Sequence, residues 1–469
     1  MSEELSRLLF CFSCCCFCSF FCFFLYRAGN QIKEGKCLTF WGLDPEYECV
    51  AVVGLGKSCR GFDEIEVVDQ DKEAVRIAAA AGYNALHNLG VKNIVIESFG
   101  DAESAAEGAT LASWRYQDLK SKKKEESTLD LIDPQRNECA QWEEGLTKAN
   151  AQNLARTLAE TPANLMTPTI FASKAGEILK PLGCEICPRD KSWAENKKMG
   201  GFLSVAKGSV EPPVFLEVHY KGGGDNTFVL IGKGVTFDAG GISIKPSANM
   251  ADMRADMGGG AAVVGTIFGL ASLKAKVNVV ALIPLVENLP SGNAVKPGDV
   301  IKAMNGKSIC VDNTDAEGRL ILADALCYSK EFDPAWVLDI ATLTGAMTVA
   351  LGDAATGVFT NSNELYGKLE QAGARTGDRM WKFPLWKRYS ELVTEYPFYD
   401  VHNVGKGKGG GSCKAAAFLR EFVPEKVDWL HLDMASVMGP GKSAKYLSEG
   451  MQGRPTRTLI EFVRGQCLS

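Results

Sequence analysis

The chain is poor in histidine, the side chain that proteins use most often as a metal ligand. Its 469 residues include only His87, His219, His402 and His431. No two of them have the spacing of paired ligands, and the motif H-E-x-x-H is absent. Each histidine is therefore interpreted as structural. A metal site in this chain would have to be built mainly from carboxylates.

The chain also lacks an excess of positive charge. Fifty-one Lys and Arg face 57 Asp and Glu, which gives a net charge of −6. This balance, together with the absence of a basic N-terminal arm, argues against nucleic acid as a partner. A hydrophobic content of 46% is typical of a globular protein. The length exceeds that of one ordinary core and predicts two unequal domains.

The N-terminal leader, residues 1–35, lacks the marks of an ordinary signal peptide. Residues 8–26 carry no charge and six cysteines, and their length suits a membrane span or signal-anchor. A positive flank and a small-residue cleavage site are missing. The alternative is that this leader is an atypical, low-complexity start that lies outside the fold, and this is the interpretation we expect to hold. We expect membrane association only if residues 8–26 form a real membrane span. The scattered remaining cysteines, including Cys184-x-x-Cys187, are interpreted as reduced thiols in a reducing compartment.

Hydrophobic patterning divides the rest of the chain into a small N-terminal α/β domain at 36–140, a linker helix at 141–160 and a larger domain at 161–469. The predicted fold class is α/β, with a mixed, mainly parallel central sheet in the larger domain. In such sheets the active site lies beyond the carboxyl ends of the strands. The main predicted strands are 48–56, 93–97, 214–220, 227–231, 277–284 and 335–341, and the predicted helices are 72–89, 102–115, 261–273 and 321–329.

The stretch Asn313-Thr314-Asp315-Ala316-Glu317-Gly318-Arg319-Leu320 carries charges at alternate positions. If it is extended, Asp315, Glu317 and Arg319 lie on one face. A divalent cation would compensate the charge of two neighbouring carboxylates there, and the arginine would bind an anion beside it. The alternative is a solvated strand edge. The apolar residues at 320–323 argue against it.

A second polar stretch lies upstream, where a predicted strand enters a glycine-rich turn. The turn carries Lys233, Asp238 and Lys245. Asp256 follows, close to the start of an alanine-rich helix. Another glycine-rich segment, 405–411, could bind an anion, but we interpret it as a mobile surface loop.

These two stretches, with the segment NTDAEGRL unaltered, resemble the leucine aminopeptidase (cytosol aminopeptidase) family of two-metal metallopeptidases. The resemblance runs from about residue 36 to the C-terminus; the strand and helix that begin the family's N-terminal domain are not visible in the sequence. It implies a cytoplasmic homohexamer that releases N-terminal, preferably apolar, amino acids from peptides. It also implies two divalent ions per subunit, Zn²⁺ and/or Mn²⁺, with bicarbonate as a proton shuttle.

The resemblance also implies roles for individual residues. A hydroxide bridging the two metals attacks the scissile carbonyl, Lys245 stabilises the oxyanion, and Arg319 holds the bicarbonate. As a metal ligand, Lys233 must be neutral, which needs a lowered pKa. A catalytically silent relative with a structural role stays open as an alternative, although no ligand is lost, and a DNA-binding role is disfavoured by the charge. The implied metal ligands are Lys233, Asp238, Asp256, Asp315 and Glu317; the catalytic residues are Lys245 and Arg319; the substrate-binding residues are Lys245, Met253, Asn313, Thr342, Leu343 and Gly345.

Overall fold

The computed structural model describes residues 8–11, 32–57, 59–132, 137–441 and 444–466. The chain forms two compact units. The first consists of Met1–Asn153, Ala374–Gly377 and Gly441–Gly450, and the second of Leu154–Gly373, Asp378–Pro440 and Met451–Ser469.

The first unit has a small three-stranded sheet and two packed helices. The sheet order is β1-β3-β2, and all five residues of the central strand β3 are buried. Helices α1 and α2 pack through alanines, which let their backbones approach closely. The strands are β1 (Leu8–Cys11), β2 (Cys37–Trp41), β3 (Cys49–Val53), β4 (Phe62–Asp63), β5 (Val68–Asp69), β6 (Asn93–Ile96) and β7 (Thr128–Leu131); the helices are α1 (Gln70–Asn88) and α2 (Ala102–Ser113).

The structure differs from the sequence analysis at the N-terminus. Leu8–Cys11, within the leader predicted to lie outside the fold, forms β1 and pairs in parallel with β3. Without this pairing, one edge of β3 would expose a row of backbone N–H and C=O groups, which explains why a partner strand is accepted there. Residues 1–7 and 12–31, which include most of the 8–26 run, lie outside the described residues, and the membrane prediction for them stays a prediction.

The second unit is organised around a nine-stranded mixed sheet. Its order is β17-β16-β19-β15-β10-β12-β9-β8, and β11 pairs with the end of β12. Parallel pairing joins the central strands β19, β15, β10 and β12, whereas β9 and β16 run antiparallel to their neighbours in the centre. These strands are β8 (Glu185–Arg189), β9 (Val214–Lys221), β10 (Thr227–Gly232), β11 (Gly234–Asp238), β12 (Asn278–Asn288), β15 (Trp336–Ala341), β16 (Thr356–Thr360), β17 (Met380–Lys382) and β19 (Asp428–Asp433).

Three short strands form a separate sheet in this unit. They are β13 (Val300–Lys302), β14 (Ser308–Cys310) and β18 (Val401–His402), and β14 lies between the other two. The antiparallel pair β13–β14 and the parallel pair β14–β18 make up this sheet.

Helices cover the large sheet. Val229 and Ile231 of β10 pack with residues of helix α8, while Leu230, which points to the opposite face, is buried as well. The helices of the unit and its boundary are α3 (Glu138–Glu160), α4 (Pro168–Leu179), α5 (Lys191–Asn196), α6 (Gly200–Ala206), α7 (Gly258–Ser272), α8 (Gly318–Ser329), α9 (Gly345–Leu351), α10 (Asn363–Thr376), α11 (Lys387–Thr394), α12 (Gly411–Arg420) and α13 (Thr456–Gly465).

One stretch of the described residues, Met250–Ser272, is long and apolar enough to cross a membrane. Its most apolar window is 89% buried within the protein. Apolar residues all round a helix are typical of a helix in the interior of a soluble domain. This stretch, which ends in α7, is therefore a core helix and gives no support to a membrane tether.

The predicted fold class is confirmed. The predicted strands and helices are present, with ends that differ by a few residues. Helix α3 begins at Glu138, three residues before the predicted start. The parallel strands of the centre end at one edge of the sheet. The polar stretch that begins at Lys233 follows β10 there, whereas the stretch 313–320 follows β14 of the small sheet.

Candidate metal centre and substrate pocket

A cavity of about 530 Å³ opens at the carboxyl ends of the central strands. It lies entirely within the second unit. Strand β10 leads to Lys233, β11 ends at Asp238, and the segment after β15 supplies Thr342 to Gly345. All of the site residues expected from the resemblance line it: Lys233, Asp238, Lys245, Met253, Asp256, Asn313, Asp315, Glu317, Arg319, Thr342, Leu343 and Gly345.

One side of the cavity is built around Lys233, which is only 2% exposed. Its Nζ lies 2.8 Å from Oδ1 of Asp256 and 2.8 Å from Oε1 of Glu317, and it donates to the carbonyl of Thr342 at 2.9 Å. Burial alone would lower the pKa of Lys233, but Asp256, Glu317 and Asp238 outweigh it and raise this pKa. The lowered pKa expected for a lysine ligand depends on bound cations, and it stays a prediction.

The other side is built around Lys245. Its Nζ lies 2.8 Å from Oδ2 of Asp238 and 2.5 Å from Oδ1 of Asp315. The side chains of Lys245 and Asp315 are 20% and 32% exposed, so water reaches this side. Burial opposes the charge of Lys245, but the two carboxylates raise its pKa. Lys245 therefore remains a cation.

The carboxylates between the lysines are suited to bind cations. Ligand oxygens of Asp238, Asp315 and Glu317 lie within 4.8 Å of one another. Oδ2 of Asp256 and Oε2 of Glu317 are buried and have no hydrogen-bond partner in the described part of the chain. Burial raises the pKa of Asp256 well above its usual value and also raises that of Asp238. Divalent cations would satisfy these oxygens and favour their charged form, so the residues present fit a metal centre.

The NTDAEGRL segment is not extended, so the condition for its three charges to share one strand face is not met. Asp315 lies in a turn, Glu317 is the N-cap of α8, and Arg319 belongs to the first turn of that helix. The three side chains still line the cavity because the turn and the helix start both face it. A Cβ at Gly318 would lie 2.7 Å from Lys233 Cε, so any larger residue there would displace the end of this lysine side chain.

Arg319 is placed to receive an anion. It is 8% exposed, and Nη1 donates to the carbonyl of Asn403 at 2.7 Å, while Nε has no hydrogen-bond partner among the described residues. Burial lowers its pKa to about 10, against the opposing effects of Glu317 and Asp433. A small anion beside the guanidinium would offset this cost of burial.

The structure also reveals supporting residues that the sequence analysis missed. Asn288, at the end of β12, donates Nδ2–H to Oδ1 of Asp238 at 2.7 Å and to the carbonyl of Thr314 at 3.0 Å. Asp433, at the end of β19, accepts the hydroxyl of Thr344 at 2.5 Å and the backbone N–H of Leu343 at 3.2 Å. The available signal was position, because both residues end apolar strands at the edge where the site was expected.

The remaining wall of the cavity is apolar. Met253 and Leu343 contribute to it as expected, and Met438, Met451 and Ala435 join them. Methionine adapts its shape readily, so this wall suits apolar side chains of several forms. The glycine-rich loop before α12 adjoins the cavity at Gly411, and Nζ of Lys414 donates to the loop carbonyl of Gly407 at 2.8 Å.

The fold and this site together define a class: α/β proteins with a carboxylate-and-lysine cation site beyond the carboxyl ends of a central parallel sheet. Comparison with protein families agrees. Residues 153–460 match the model described as the cytosol aminopeptidase family, catalytic domain, and residues 31–123 match that family's N-terminal domain. The chain belongs to the cytosol aminopeptidase family.

Similar individual proteins cover nearly the whole chain. The cytosol aminopeptidases of Bos taurus and Homo sapiens are each 52% identical over 441 residues, 93% of this chain and 84% of theirs. That of Dictyostelium discoideum is 45% identical over 449 residues, 92% of this chain and 85% of its own. The solved structure of the bottromycin maturation enzyme BotP in complex with Mn superimposes with a TM-score of 0.88 at 31% identity, over 98% of this chain and 99% of that one.

Proposed function

We propose that the chain is a metal-dependent aminopeptidase of the leucyl type, which releases N-terminal, preferably apolar, amino acids from peptides. The observation that carries the proposal is the meeting of two lysines, four carboxylates and one arginine in one cavity with an apolar wall. Similarity to cytosol aminopeptidases over 93% of the chain supports it. A structural role without catalysis would tolerate loss of these side chains, yet each of them is present.

Lys233, Asp238, Asp256, Asp315 and Glu317 would hold two divalent ions, Zn²⁺ and/or Mn²⁺. When bound, the pair would supply an activated nucleophile and polarise the scissile carbonyl. The donor set of carboxylates and one amine suits such ions, because it contains no soft ligand. The solved BotP structure is a complex with Mn, and this supports the same class of ion here.

Lys245 would stabilise the negative charge that develops on the carbonyl oxygen. Its ammonium is held by Asp238 and Asp315, so it is aimed before the substrate arrives and needs no rearrangement during the reaction. Arg319 would hold bicarbonate as a proton shuttle, since its buried guanidinium still has an unused donor among the described contacts. Met253, Asn313, Thr342, Leu343 and Gly345 would line the pocket for the substrate's first residue.

Further proposals accompany this function. We propose that residues 36–140 form the N-terminal domain, 141–160 the linker helix and 161–469 the catalytic domain, an arrangement supported by the two family matches. We also propose a cytoplasmic location, which the names of the relatives support. We propose that the chain forms a homohexamer, and sedimentation of the purified chain would measure its oligomeric state. The proposed partners are peptide substrates.

The function is tested by hydrolysis of leucine amide with the full-length chain. We expect turnover with Mn²⁺ or Zn²⁺, its loss with chelator, and its loss in Asp315→Ala. The matched control is Asp225→Ala, which removes an exposed carboxylate outside the cavity and should leave turnover unchanged. A folded, metal-loaded chain without turnover would contradict the enzyme proposal and favour the catalytically silent alternative. The same assay without bicarbonate tests the role of Arg319.

A further inference from the structure

Outside the catalytic cavity, the side chains of Cys310, Asp312 and His402 meet at one point. One ligand atom from each lies within 4.8 Å of the other two. Nδ1 of His402 lies 2.8 Å from Oδ2 of Asp312, and Sγ of Cys310 lies 3.6 Å from its Oδ1. A thiol, an imidazole and a carboxylate at these distances form a typical ligand set for a transition-metal ion.

The backbone explains this arrangement. Strands β14 and β18 are parallel neighbours, and Cys310 stands opposite His402 in their register. Asp312 follows Cys310 two residues later and turns its carboxylate towards both side chains. The ligands come from distant parts of the chain, and for this reason no sequence spacing reveals them.

The cluster of Cys310, Asp312 and His402 is buried on one side and open to solvent on the other. Cys310 and His402 are buried, at 5% and 8% exposed, whereas the Asp312 side chain is 40% exposed. The ring of Tyr396 stacks on the imidazole and fixes its plane. Nε2 of His402 is buried without a hydrogen-bond partner among the described residues. The imidazole is thus held in place by Tyr396 and Asp312, while one of its two ring nitrogens has no hydrogen bond among the described residues.

We propose that Cys310, Asp312 and His402 bind a single divalent ion of the zinc class, separate from the catalytic pair. Three protein ligands leave a coordination position for water on the exposed side of Asp312. A thiolate favours softer ions, whereas the catalytic centre offers only oxygen and amine ligands. On binding, the thiol loses its proton to solvent and the thiolate forms the bond to the metal.

The position of this site gives it a function. The backbone N–H groups of Asp312 and Asn313 point to Oδ1 of Asn403, at 2.9 and 3.4 Å. The carbonyl of Asn403 accepts from Arg319 at 2.7 Å. A cation on Cys310, Asp312 and His402 fastens together the two strand ends that hold Arg319, and so stabilises this wall of the catalytic cavity.

The chain offers a matched control in a second group, Cys187, Glu217 and His219, whose ligand atoms are equally close. There the carboxylate of Glu217 is already engaged. Arg189 lies 3.4 Å away, and Tyr328 donates to Glu217 at 3.0 Å. A cation would have to compete with the guanidinium, so we assign no metal to this group.

The test uses Co²⁺ as the probe, with the full-length chain reduced by a phosphine so that no added thiol competes for metal. A thiolate bound to Co²⁺ gives a sulfur-to-metal charge-transfer band in the near ultraviolet, and the proposed catalytic ligands include no thiol to produce one. The six cysteines of residues 8–26 are replaced by serine in the parent chain and in every variant, so that they give no band. We expect the band in the parent chain and in Cys187→Ser, and its loss in Cys310→Ser. Added Zn²⁺ should displace it. His402→Asn should bind one metal ion fewer per subunit by elemental analysis.

Absence of the band from the folded parent chain would overturn the proposal, as would its persistence in Cys310→Ser. If Cys310→Ser does not fold, as judged by circular dichroism, His402→Asn decides: an unchanged band and unchanged metal content there would also overturn it. The readout is spectroscopic and requires no hydrolysis, so it stands or falls independently of the aminopeptidase proposal.

Discussion

The two lysines of the catalytic cavity each contact two carboxylates, but their surroundings differ. Lys233 is 3% exposed at its side chain and lies against Asp256 and Glu317, which are also buried. Lys245 is 20% exposed and lies against the half-buried Asp315. Desolvation is therefore nearly complete on the first side and partial on the second. One ion-pair pattern thus fits two proposed roles: the buried lysine suits a ligand within a closed cluster, and the accessible one suits a fixed charge that a substrate oxygen can reach.

The largest difference between the two sides should appear in stability. Lys233→Met leaves the charges of Asp256 and Glu317 buried and uncompensated, and breaking such a pair costs about 3–5 kcal/mol. Lys245→Met should lower the free energy of unfolding by less, because water screens Asp315, one of its two partners, although the other, Asp238, is buried. Urea unfolding in the presence of chelator measures both values. Equal losses for the two variants would show that burial does not distinguish the two sides.

The next effect concerns catalysis on the Lys245 side. Loss of one preorganised group that stabilises an oxyanion lowers kcat by about 10²–10³-fold. We expect this loss in Lys245→Met with metal content preserved, and partial recovery in Lys245→Arg, which keeps the charge but not the shape. Turnover of leucine amide, measured alongside metal content, separates this effect from metal loss. Full activity in Lys245→Met would remove Lys245 from the reaction.

Site residues that lie close together in the sequence could be predicted, whereas those brought together by folding could not. The proposed ligands Lys233, Asp238 and Asp256 lie within two dozen residues, the first two at strand ends and Asp256 just before a helix, so pattern and resemblance identify them. Asn288 was missed because the predicted strand stopped at 284, whereas β12 continues to the asparagine itself. A continuous apolar run does not indicate where a buried strand ends.

Other features depend on contacts between distant segments. The helical position of Arg319 was missed because charges at alternate positions also fit an extended segment, and the choice depends on how the turn at Asp315 packs. Asp433 gains its role only because β19 pairs beside β15, which brings it to the Leu343 segment. The pairing of Cys310 with His402 depends in the same way on the parallel ladder β14–β18. Composition and periodicity describe single segments and cannot supply these pairings.

The smallest predicted effect concerns the supporting hydrogen bonds on the two sides. Asn288 donates to Asp238 at 2.7 Å, and Thr342 donates its hydroxyl to Asp256 at 2.8 Å. Groups that orient metal ligands typically change metal affinity by about 10–100-fold when removed. Asn288→Ala should fall in this range, because the remaining donor to Oδ1 of Asp238 is the neutral backbone N–H of Gly240 at 2.9 Å, and Lys245 contacts the other oxygen.

Thr342→Val should have a weaker effect, because Lys233 also donates to the same oxygen of Asp256 and keeps that carboxylate in place. Titration of the metal-free chain with Mn²⁺ measures both affinities, and turnover of Asn288→Ala at saturating metal should remain close to that of the wild type. A larger effect for Thr342→Val than for Asn288→Ala would mean that the buried side depends on its hydroxyl more than on its lysine. Lys233 would then act chiefly as a ligand, and the rigidity of Asp256 would come from the segment after β15.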